Sequence, residues 1–201
     1  MDQKEPYRPS DRQLVERVLS GNTRAFGMII KDTETLVAQI VFRMIAGHDQ
    51  RRDVAQDIYV KVFQKLESFR FQSKLSTWIA RIAYNTCINQ LEKNKSTPSL
   101  LVDQILYETS SEDDTSHWEP ADASDLVDEL IQEEFSGLLQ SALERLPPLY
   151  KLLITLYHQQ ELSYHQICEI VALPEGTVKS YLFRARRMLR DRIQTIYNQG
   201  I

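Results

Sequence analysis

Apolar residues in the first half of the chain recur every three or four positions, which is the spacing of one face of an α-helix. A capping box of Ser10 with Gln13 predicts the start of a first short helix. Three further helices are predicted over approximately 23–46, 50–66 and 76–93. Because no stretch alternates with a period of two for long enough to predict a strand, we expect this part to be wholly helical.

The apolar pattern resumes towards the C-terminus and ends in two helices separated by a tight turn. Ser163 with Gln166 forms a second capping box, which starts a short helix with one apolar face. Ala172 and Leu173 break this helix, and Pro174 suits the first turn of the next one, where its missing N–H costs little. A short capped helix, a tight turn and a second helix predict a helix-turn-helix.

The second helix of this pair is cationic on one side. Its inward positions carry apolar residues at helical spacing: Val178, Leu182, Ala185 and Leu189. Its remaining positions carry mostly polar and basic residues: Lys179, Ser180, Phe183, Arg184, Arg186, Arg187 and Arg190. An arginine-rich helix face is often only a solvated surface. Next to a capped helix and a tight turn, it favours insertion into a DNA major groove.

An acidic segment separates the two helical parts. Residues 96–134 contain 12 Asp and Glu and no Lys or Arg. We predict a flexible linker there, at least in its first part, with helix resuming near Ser124. The flanking parts are basic, since 1–95 has 16 Lys and Arg against 11 Asp and Glu, and 135–201 has 8 against 5. The sequence therefore predicts an all-α protein of two small helical domains joined by an acidic linker, the C-terminal domain containing the helix-turn-helix.

The composition argues against several classes of function. No run approaches the ~18 apolar residues of a membrane span, and the polar N-terminus carries no signal-peptide core. Cys87 and Cys168 lie inside helical patterns and are expected to be reduced core residues, which suits a cytoplasmic protein. The four histidines show no ligand-like pairing, and the six glycines form no phosphate-binding loop. We expect no metal, no cofactor, no catalytic residue and no small-molecule substrate.

Two separate groups of motifs carry a resemblance to a known family. In the C-terminal part these are LP at 146–147, LSYHQI at 162–167, PEGTVKS at 174–180 and FRAR at 183–186. In the N-terminal part they are DVAQDIYVKVF at 53–63 and FRFQSKLSTWIARIAYN at 69–85. Together they resemble bacterial RNA polymerase sigma factors of the extracytoplasmic-function (ECF) group. The resemblance covers nearly all of the chain except the linker.

The resemblance implies a sigma factor, which is not an enzyme and directs promoter-specific transcription initiation. It implies a region 2-like domain over 1–95, an acidic linker over 96–134 and a region 4-like domain over 135–201. The implied partners are core RNA polymerase, promoter DNA and an anti-sigma factor, often membrane-bound. The linker carboxylates either lie in the channel through which RNA leaves the polymerase or form a solubilising tether.

The resemblance, together with the residue pattern, also assigns residues to three surfaces. The −35 element would be read by Thr177, Lys179, Ser180, Phe183, Arg184, Arg186 and Arg187. The −10 element would be recognised and melted by Phe69, Phe71, Ser73, Lys74, Thr77, Trp78, Arg81 and Asn85. Core polymerase would be bound by Asp53, Gln56, Asp57 and Lys61. Simpler roles are open for some of them: Phe183 packs, Trp78 is a core residue, and the Asp53–Lys61 face is only solvated.

Three residues depart from the family pattern and leave the promoter sequence open. Phe71 stands where the family often has Gly, Leu75 where it often has Phe, and Tyr181 where a basic residue is common. Two other classes of protein are rival interpretations. A stand-alone helix-turn-helix regulator would bind its DNA without polymerase. An enzyme acting on nucleic acid would need clustered carboxylates for a metal ion, or a nucleophile beside a base.

Overall fold

The computed structural model describes residues 9–93 and 137–199, which are helical apart from short connections. Residues 9–93, here the N-terminal block, contain α1 (Asp11–Leu19), α2 (Thr23–Met44), α3 (His48–Lys65), a 3-10 turn (Leu66–Ser68) and α4 (Leu75–Lys93). Residues 137–199, here the C-terminal block, contain a helical segment at 137–144. The C-terminal block continues with α5 (Pro148–Ile154), a π-helical turn (Thr155–Gln159), α6 (Tyr164–Val171) and α7 (Glu175–Gln199). These two ranges contain no strand, which confirms the all-α prediction for the described part of the chain.

The helices begin where the sequence offers capping groups. Both predicted capping boxes are present, because the hydroxyl oxygens of Ser10 and Ser163 each accept a hydrogen bond from the amide three residues later, at 3.3 Å. Asn22 caps α2 in the same way, with its Oδ1 3.2 Å from the amide nitrogen of Ala25. The bounds of α2, α3 and α4 agree with the prediction to within about two residues, the usual uncertainty of helix ends.

Two features of the C-terminal block differ from the prediction. Pro174 lies just before α7 rather than inside its first turn, and its carbonyl accepts from the amide of Val178 at 3.0 Å. The helix begun at Pro148 does not stay regular but passes into the π-helical turn. Such turns often lie at functional sites. Ala172, which ends α6, has the left-handed φ of +55° that the tight turn requires.

Apolar residues of both blocks form the core. In the N-terminal block the largest fully buried side chains are Val15, Ile29, Ile40, Ile58, Leu66 and Ile79. In the C-terminal block they are Leu152, Leu153, Leu156, Ile167, Ile170 and Leu182. Within 9–93 and 137–199, no helix is both long enough and apolar enough to cross a membrane.

The two blocks pack against each other, which the sequence did not predict. Helix α2 contacts α5, and α4 contacts α6. Arg43 of α2 is buried at this contact and donates hydrogen bonds to Thr155 Oγ1 and to Glu144 Oε1, both at 2.9 Å. Burial lowers the pKa of the Arg43 guanidinium, and the Glu144 carboxylate opposes this shift. The predicted linker at 96–134 and the ends of both predicted domains lie outside the described residues.

Candidate nucleic-acid interface

Helix α7 presents an apolar face to the block and a basic face to solvent. Val178, Leu182 and Ala185 are fully buried, as the helical spacing predicted. On the other side Lys179, Ser180, Phe183 and Arg187 are exposed, and Thr177, Arg184 and Arg186 are half-buried. Phe183 is 39% exposed, so its ring is not a core residue. The structure therefore brings the seven residues predicted to read the −35 element onto one helix beside the tight turn.

The cations of this face differ in how firmly they are held. Lys179 Nζ lies 2.7 Å from a carboxylate oxygen of Glu175, one turn earlier, and this partner raises the pKa of Lys179. Among the described residues, Arg184 and Arg187 form no ion pair. They are consequently the side chains that can meet an anionic ligand without first leaving a partner.

Arg186 is held by the π-helical turn. Its Nε donates to His158 Nε2 at 3.3 Å, and its guanidinium carbon lies 5.2 Å from the centre of the Tyr157 ring. Burial, and then the charge of Arg186, lowers the pKa of His158, so the imidazole stays neutral and able to accept. No local sequence pattern indicates this arrangement, because Arg186 and His158 are 28 positions apart.

Tyr181 is not part of the reading face. Its side chain is 4% exposed, and its ring centre lies 5.7 Å from that of Tyr150. A basic residue is common at this position in the family that the motifs resemble. Here the position faces inward, so a base-contacting role for residue 181 does not apply to the described arrangement.

An aromatic cluster forms the loop between the 3-10 turn and α4. Phe69 is 6% exposed, with its ring centre 4.8 Å from Phe71 and 5.2 Å from Trp78. The prediction listed Phe69 among the groups that would hold an extruded base. The structure instead buries this ring, which packs against the rings of Phe71 and Trp78. Trp78 is half-buried against the core and supports this cluster.

Phe71 is the exposed member of the cluster and has a strained backbone. Its φ is +58°, a conformation that costs a side chain with a β-carbon about 1–2 kcal/mol. Glycine, which is common at this position in the family that the motifs resemble, would adopt the same φ without that cost. The ring is 37% exposed, and the Arg12 guanidinium carbon lies 4.6 Å from its centre. Phe71 and Arg12 together offer a flat, cationic surface on which a base can stack.

Asp11 of α1 fixes the start of α4. Its Oδ2 accepts from the amide of Leu75 at 3.0 Å, so a residue 64 positions away acts as the capping group. A cavity of about 230 Å³ lies beside this contact, and its polar lining includes Asp11, Asp32, Thr33, Lys74 and Ser76. Of the predicted loop residues, Lys74 is exposed and Ser73 is half-buried. The cavity is therefore next to the residues predicted to melt the −10 element.

We expect Asp11→Ala to destabilise the N-terminal block by about 1 kcal/mol, the usual effect of removing a helix cap. The loop before α4 should become less ordered, because the amide of Leu75 would lose its partner. Thermal unfolding of the full chain measures the loss. The matched control is Glu16→Ala, which removes an exposed carboxylate from the same helix. Equal unfolding temperatures for the two variants would contradict a capping role for Asp11.

Of the residues that the sequence assigns to the −10 element, Thr77, Arg81 and Asn85 follow one another at four-residue spacing on α4, but Thr77 does not reach the surface. Arg81 and Asn85 are exposed, whereas Thr77 is only 2% exposed. The reason is geometric, since each step of four residues turns about 40° further around a helix with 3.6 residues per turn. Two such steps separate Thr77 from Asn85, and the earlier end of the stripe turns into the core.

The exposed face of α3 carries Asp53, Gln56 and Asp57, as predicted. Lys61 points differently, because its Nζ lies 2.7 Å from Asp57 Oδ2 and donates to Thr86 Oγ1 of α4 at 3.4 Å. The sequence-based prediction missed two apolar neighbours, Val60 and Phe63, which are 49% and 53% exposed. Both lie outside the buried stripe of Val54, Ile58, Val62 and Leu66. An apolar residue outside the buried stripe of its helix is the signal in the sequence that could have identified them.

Other chemistry is limited in the described ranges. Burial raises the pKa of the Cys87 thiol to about 12, so this thiol is unreactive, and Cys168 is half-buried. Within 9–93 and 137–199, no three His, Cys, Asp or Glu residues come together as metal ligands would.

Comparison with known families gives the same order of parts along the chain. The model of sigma-70 region 2 matches residues 29–97, and that of sigma-70 region 4 matches residues 136–189. The ECF RNA polymerase sigma-E factor of Haemophilus influenzae is 34% identical over 188 residues, which are 93% of this chain and 97% of the relative. The chain belongs to the ECF group of the sigma-70 family. The sigma-E factor of Escherichia coli K12 is also 34% identical, over 93% of this chain and 96% of its own length.

Solved structures share the fold of this ECF sigma factor. CnrH in complex with the cytosolic domain of CnrY has a TM-score of 0.61 and 20% identity, covering 93% of this chain and 99% of CnrH. RpoE in complex with the anti-sigma factor NepR from Bartonella quintana has a TM-score of 0.58 and 21% identity, covering 84% and 96%. The resemblance read from the two motif groups is thus confirmed. The region 4 match includes α5, α6 and the first part of α7, and the region 2 match includes the aromatic loop and α4.

Proposed function

We propose that this sigma factor binds core RNA polymerase through α3 and places two DNA-reading surfaces on the promoter. Helix α7 would read the −35 element in the major groove, and the loop before α4 with the exposed face of α4 would engage the −10 element. The observation that carries the proposal is the sidedness of α7. Its apolar residues are buried, while Arg184 and Arg187 stand outward without ion-pair partners among the described residues.

The arginines of α7 would divide the work on the −35 element. Arginine can donate to O6 and N7 of a guanine at once, which contributes about 1–3 kcal/mol of discrimination. Arg184 lies on the same side as Ser180, one turn earlier, and suits such a base contact. Arg187 is more exposed than Arg184 and would contact phosphate, which positions the helix without specifying sequence. Arg186, already oriented by His158, would add a second phosphate contact.

We expect Arg184→Ala to weaken the use of promoters with an intact −35 element by about 1–3 kcal/mol and to relax the preference at one base pair. Arg187→Ala should weaken binding evenly across sequences and reduce the dependence of log K on log salt by about one. In vitro transcription of genomic fragments with core polymerase would map the promoters. The binding of wild type and of both variants to promoters with matched and altered −35 elements would then be measured. Equal, sequence-independent losses from both variants would contradict this division.

The −10 surface would hold an extruded base by stacking and by contacts to its edge. Phe71 beneath Arg12 supplies the stacking surface, and Lys74, which follows Ser73 in the loop, lines the polar cavity. Arg81 and Asn85 continue the exposed surface along α4. Phe69 and Trp78 would act from below by supporting Phe71 rather than by touching DNA. Thr77 would support the start of α4 in the same indirect way.

Docking to polymerase would use the exposed face of α3. Asp53, Gln56 and Asp57 supply polar contacts, and Val60 and Phe63 supply apolar area that a partner can bury. Phe63 already packs edge-on against Phe26 of α2, with ring centres 5.1 Å apart. Aromatic residues are enriched at the centres of protein interfaces and charged residues are depleted there, so Phe63 suits the centre of the docking surface and Asp53 and Asp57 suit its polar rim.

A negative regulator and the cellular location belong to the proposal as well. RpoE was solved with an anti-sigma factor, and its fold is shared by this chain, so an anti-sigma partner is expected here. Action on chromosomal promoters would place the protein in the cytoplasm. It would act without catalytic residues or cofactors. The region 2 match argues against a stand-alone regulator, which would have no use for a polymerase-binding helix. Entry of the 96–134 segment into the RNA channel stays a prediction, since that segment lies outside the described residues.

A further inference from the structure

Helix α1 supplies a cation to the aromatic loop before α4. The Arg12 guanidinium carbon lies 4.6 Å from the centre of the Phe71 ring, and Arg12 is exposed. Glu16 stands one turn later on the same helix, yet among the described residues Arg12 forms no ion pair with it. The guanidinium is therefore held by the ring rather than by a carboxylate. Because the region 2 match begins at residue 29, α1 is outside the segment that the family model covers.

Phe71 is exposed at a position where the backbone is strained. Its φ of +58° disfavours any side chain with a β-carbon, whereas glycine, which is common here in the family, carries no such penalty. Burial does not compensate for the strain, since the ring is 37% exposed. Strained positions of this kind cluster at functional sites, which indicates that the ring serves a contact outside the chain.

One side of the Phe71 ring is open to a ligand. The ring centre lies 4.8 Å from that of Phe69, which is almost fully buried, so this neighbour holds the ring from the protein side. Arg12 is exposed, and the part of the ring that it covers is consequently the part that DNA can reach. Arg70 and Lys74 of the same loop are exposed as well, so the surroundings attract a nucleic-acid backbone.

An unpaired base would compete with Arg12 for this ring. An exposed cation–π contact favours the occupied state by roughly two- to fivefold. Stacking of a base on an aromatic side chain favours binding by roughly five- to 150-fold, so the base should displace the guanidinium. The planar guanidinium of Arg12 presents its donors in a fork that fits phosphate, and the phosphates of a stacked nucleotide lie beside its base.

We propose that Arg12 exchanges partners when the promoter opens. In the free chain it covers the Phe71 ring. In the open promoter an unpaired base of the −10 element stacks on the ring, and Arg12 binds the phosphate next to that base. This inference rests on the proposed function, which places the −10 element at this loop, and it adds α1 to the DNA-binding surface. Because every base has a π-face, the ring favours strand opening rather than a particular base.

The first measurement determines what the base stacks on. The full chain with core polymerase binds a mapped promoter in which one strand is left unpaired across the −10 element, each strand being tested in turn. 2-Aminopurine, a fluorescent base that stacking quenches, replaces the −10 bases one at a time. We expect Phe71→Leu to raise the fluorescence at one position and to weaken binding by roughly tenfold. The matched control is Phe42→Leu, because Phe42 is 41% exposed and also lies under an arginine, with the Arg51 guanidinium carbon 4.1 Å from its ring centre.

The second measurement determines where Arg12 goes. A phosphate contact on a single strand contributes about 0.7 to the slope of log K against log salt. Arg12→Ala should reduce the magnitude of that slope by about 0.7 and should leave 2-aminopurine quenched, since the ring is still present. Phe71→Leu should keep the wild-type slope. Arg17→Ala is the control, because Arg17 is an exposed arginine in the last turn of the same helix.

The outcomes separate the exchange from the proposed function. Fluorescence that Phe71→Leu leaves unchanged at every position, or a wild-type slope for Arg12→Ala, overturns the exchange. Loss of quenching in Arg12→Ala overturns it too, since the base would then stack on the guanidinium. If Phe71→Leu disturbs the loop, Phe71→Gly gives the same comparison without the φ strain. If wild type binds this DNA no better than DNA with a scrambled −10 element, the proposed function itself fails at this loop, and the exchange fails with it.

Discussion

An Asp57→Lys variant is expected to lose promoter-directed transcription by about a hundredfold or more while keeping its fold. Asp57 is exposed on α3 between Asp53 and the apolar pair Val60 and Phe63. If this face docks on core polymerase, a reversed charge leaves a partner cation opposed and partly desolvated. Changes of this kind at buried interfacial charge pairs cost about 2–5 kcal/mol. Every later step of initiation depends on docking, so the loss should reach the transcript.

The fold should tolerate this change because Asp57 contributes little to it. Its ion pair with Lys61, at 2.7 Å and one turn later, is solvent-exposed. Pairs of this type on a helix surface contribute only about 0.3–0.5 kcal/mol. Lys61 also keeps its hydrogen bond to Thr86 on α4.

Three measurements on the full chain decide the outcome: pull-down by core polymerase, run-off transcription and thermal unfolding. Glu16→Lys is the control, since it makes the same charge change on the exposed side of α1. We expect Asp57→Lys to fail in the first two measurements and to unfold near the wild-type temperature. Full transcription by Asp57→Lys would mean that α3 docks elsewhere or not at all.

The second large effect is expected from Leu182→Ala, which should destabilise the C-terminal block by about 2–5 kcal/mol. Leu182 is completely buried on the inner side of α7, so its removal leaves a cavity in the small core that the helix-turn-helix shares with α5. Loss of that packing frees α7 from the orientation that presents its arginines. Use of the −35 element should fall together with stability.

The neighbouring residue provides the matched control. Phe183 is 39% exposed, so Phe183→Ala should cost less than about 1 kcal/mol of stability. It should still weaken −35 binding if the ring touches a thymine methyl group. Denaturant unfolding and promoter binding of both variants separate the two roles. A large stability loss for Phe183→Ala would mean that Phe183 packs against the core rather than contacting DNA.

The sequence located the helices of the described ranges because their causes are local. The capping boxes at Ser10 and Ser163 satisfy amides only three residues away, and the stripe through Val54, Ile58 and Val62 follows from one helical period. The same reasoning identified the inner and outer sides of α7. It also assigned Arg184 and Arg187 to the outer side, since the alternation of apolar and polar residues around a single helix is enough to decide which side faces water.

Local spacing was less reliable where a predicted site meets the core. Phe69 and Thr77 were assigned to the −10 surface, yet both are almost fully buried. An aromatic residue in a loop reads the same whether its ring faces a base or another ring. Only the packing of Phe69 against Phe71 and Trp78 in the folded chain decides between the two. Tyr181 is a similar case, because its burial depends on where Tyr150 of another helix lies.

Sequence alone determined the family, the helices and the basic face of α7, since each is carried by residues within a few turns of one another. Tertiary structure alone decided that Asp11 caps α4 across 64 positions and that Arg43 joins the blocks across more than 100. A charged residue at the end of a helix normally indicates a side chain that is exposed to solvent. Arg43 is buried instead because Thr155 and Glu144, far away along the chain, supply the hydrogen bonds that replace water, and no local pattern records such a partner.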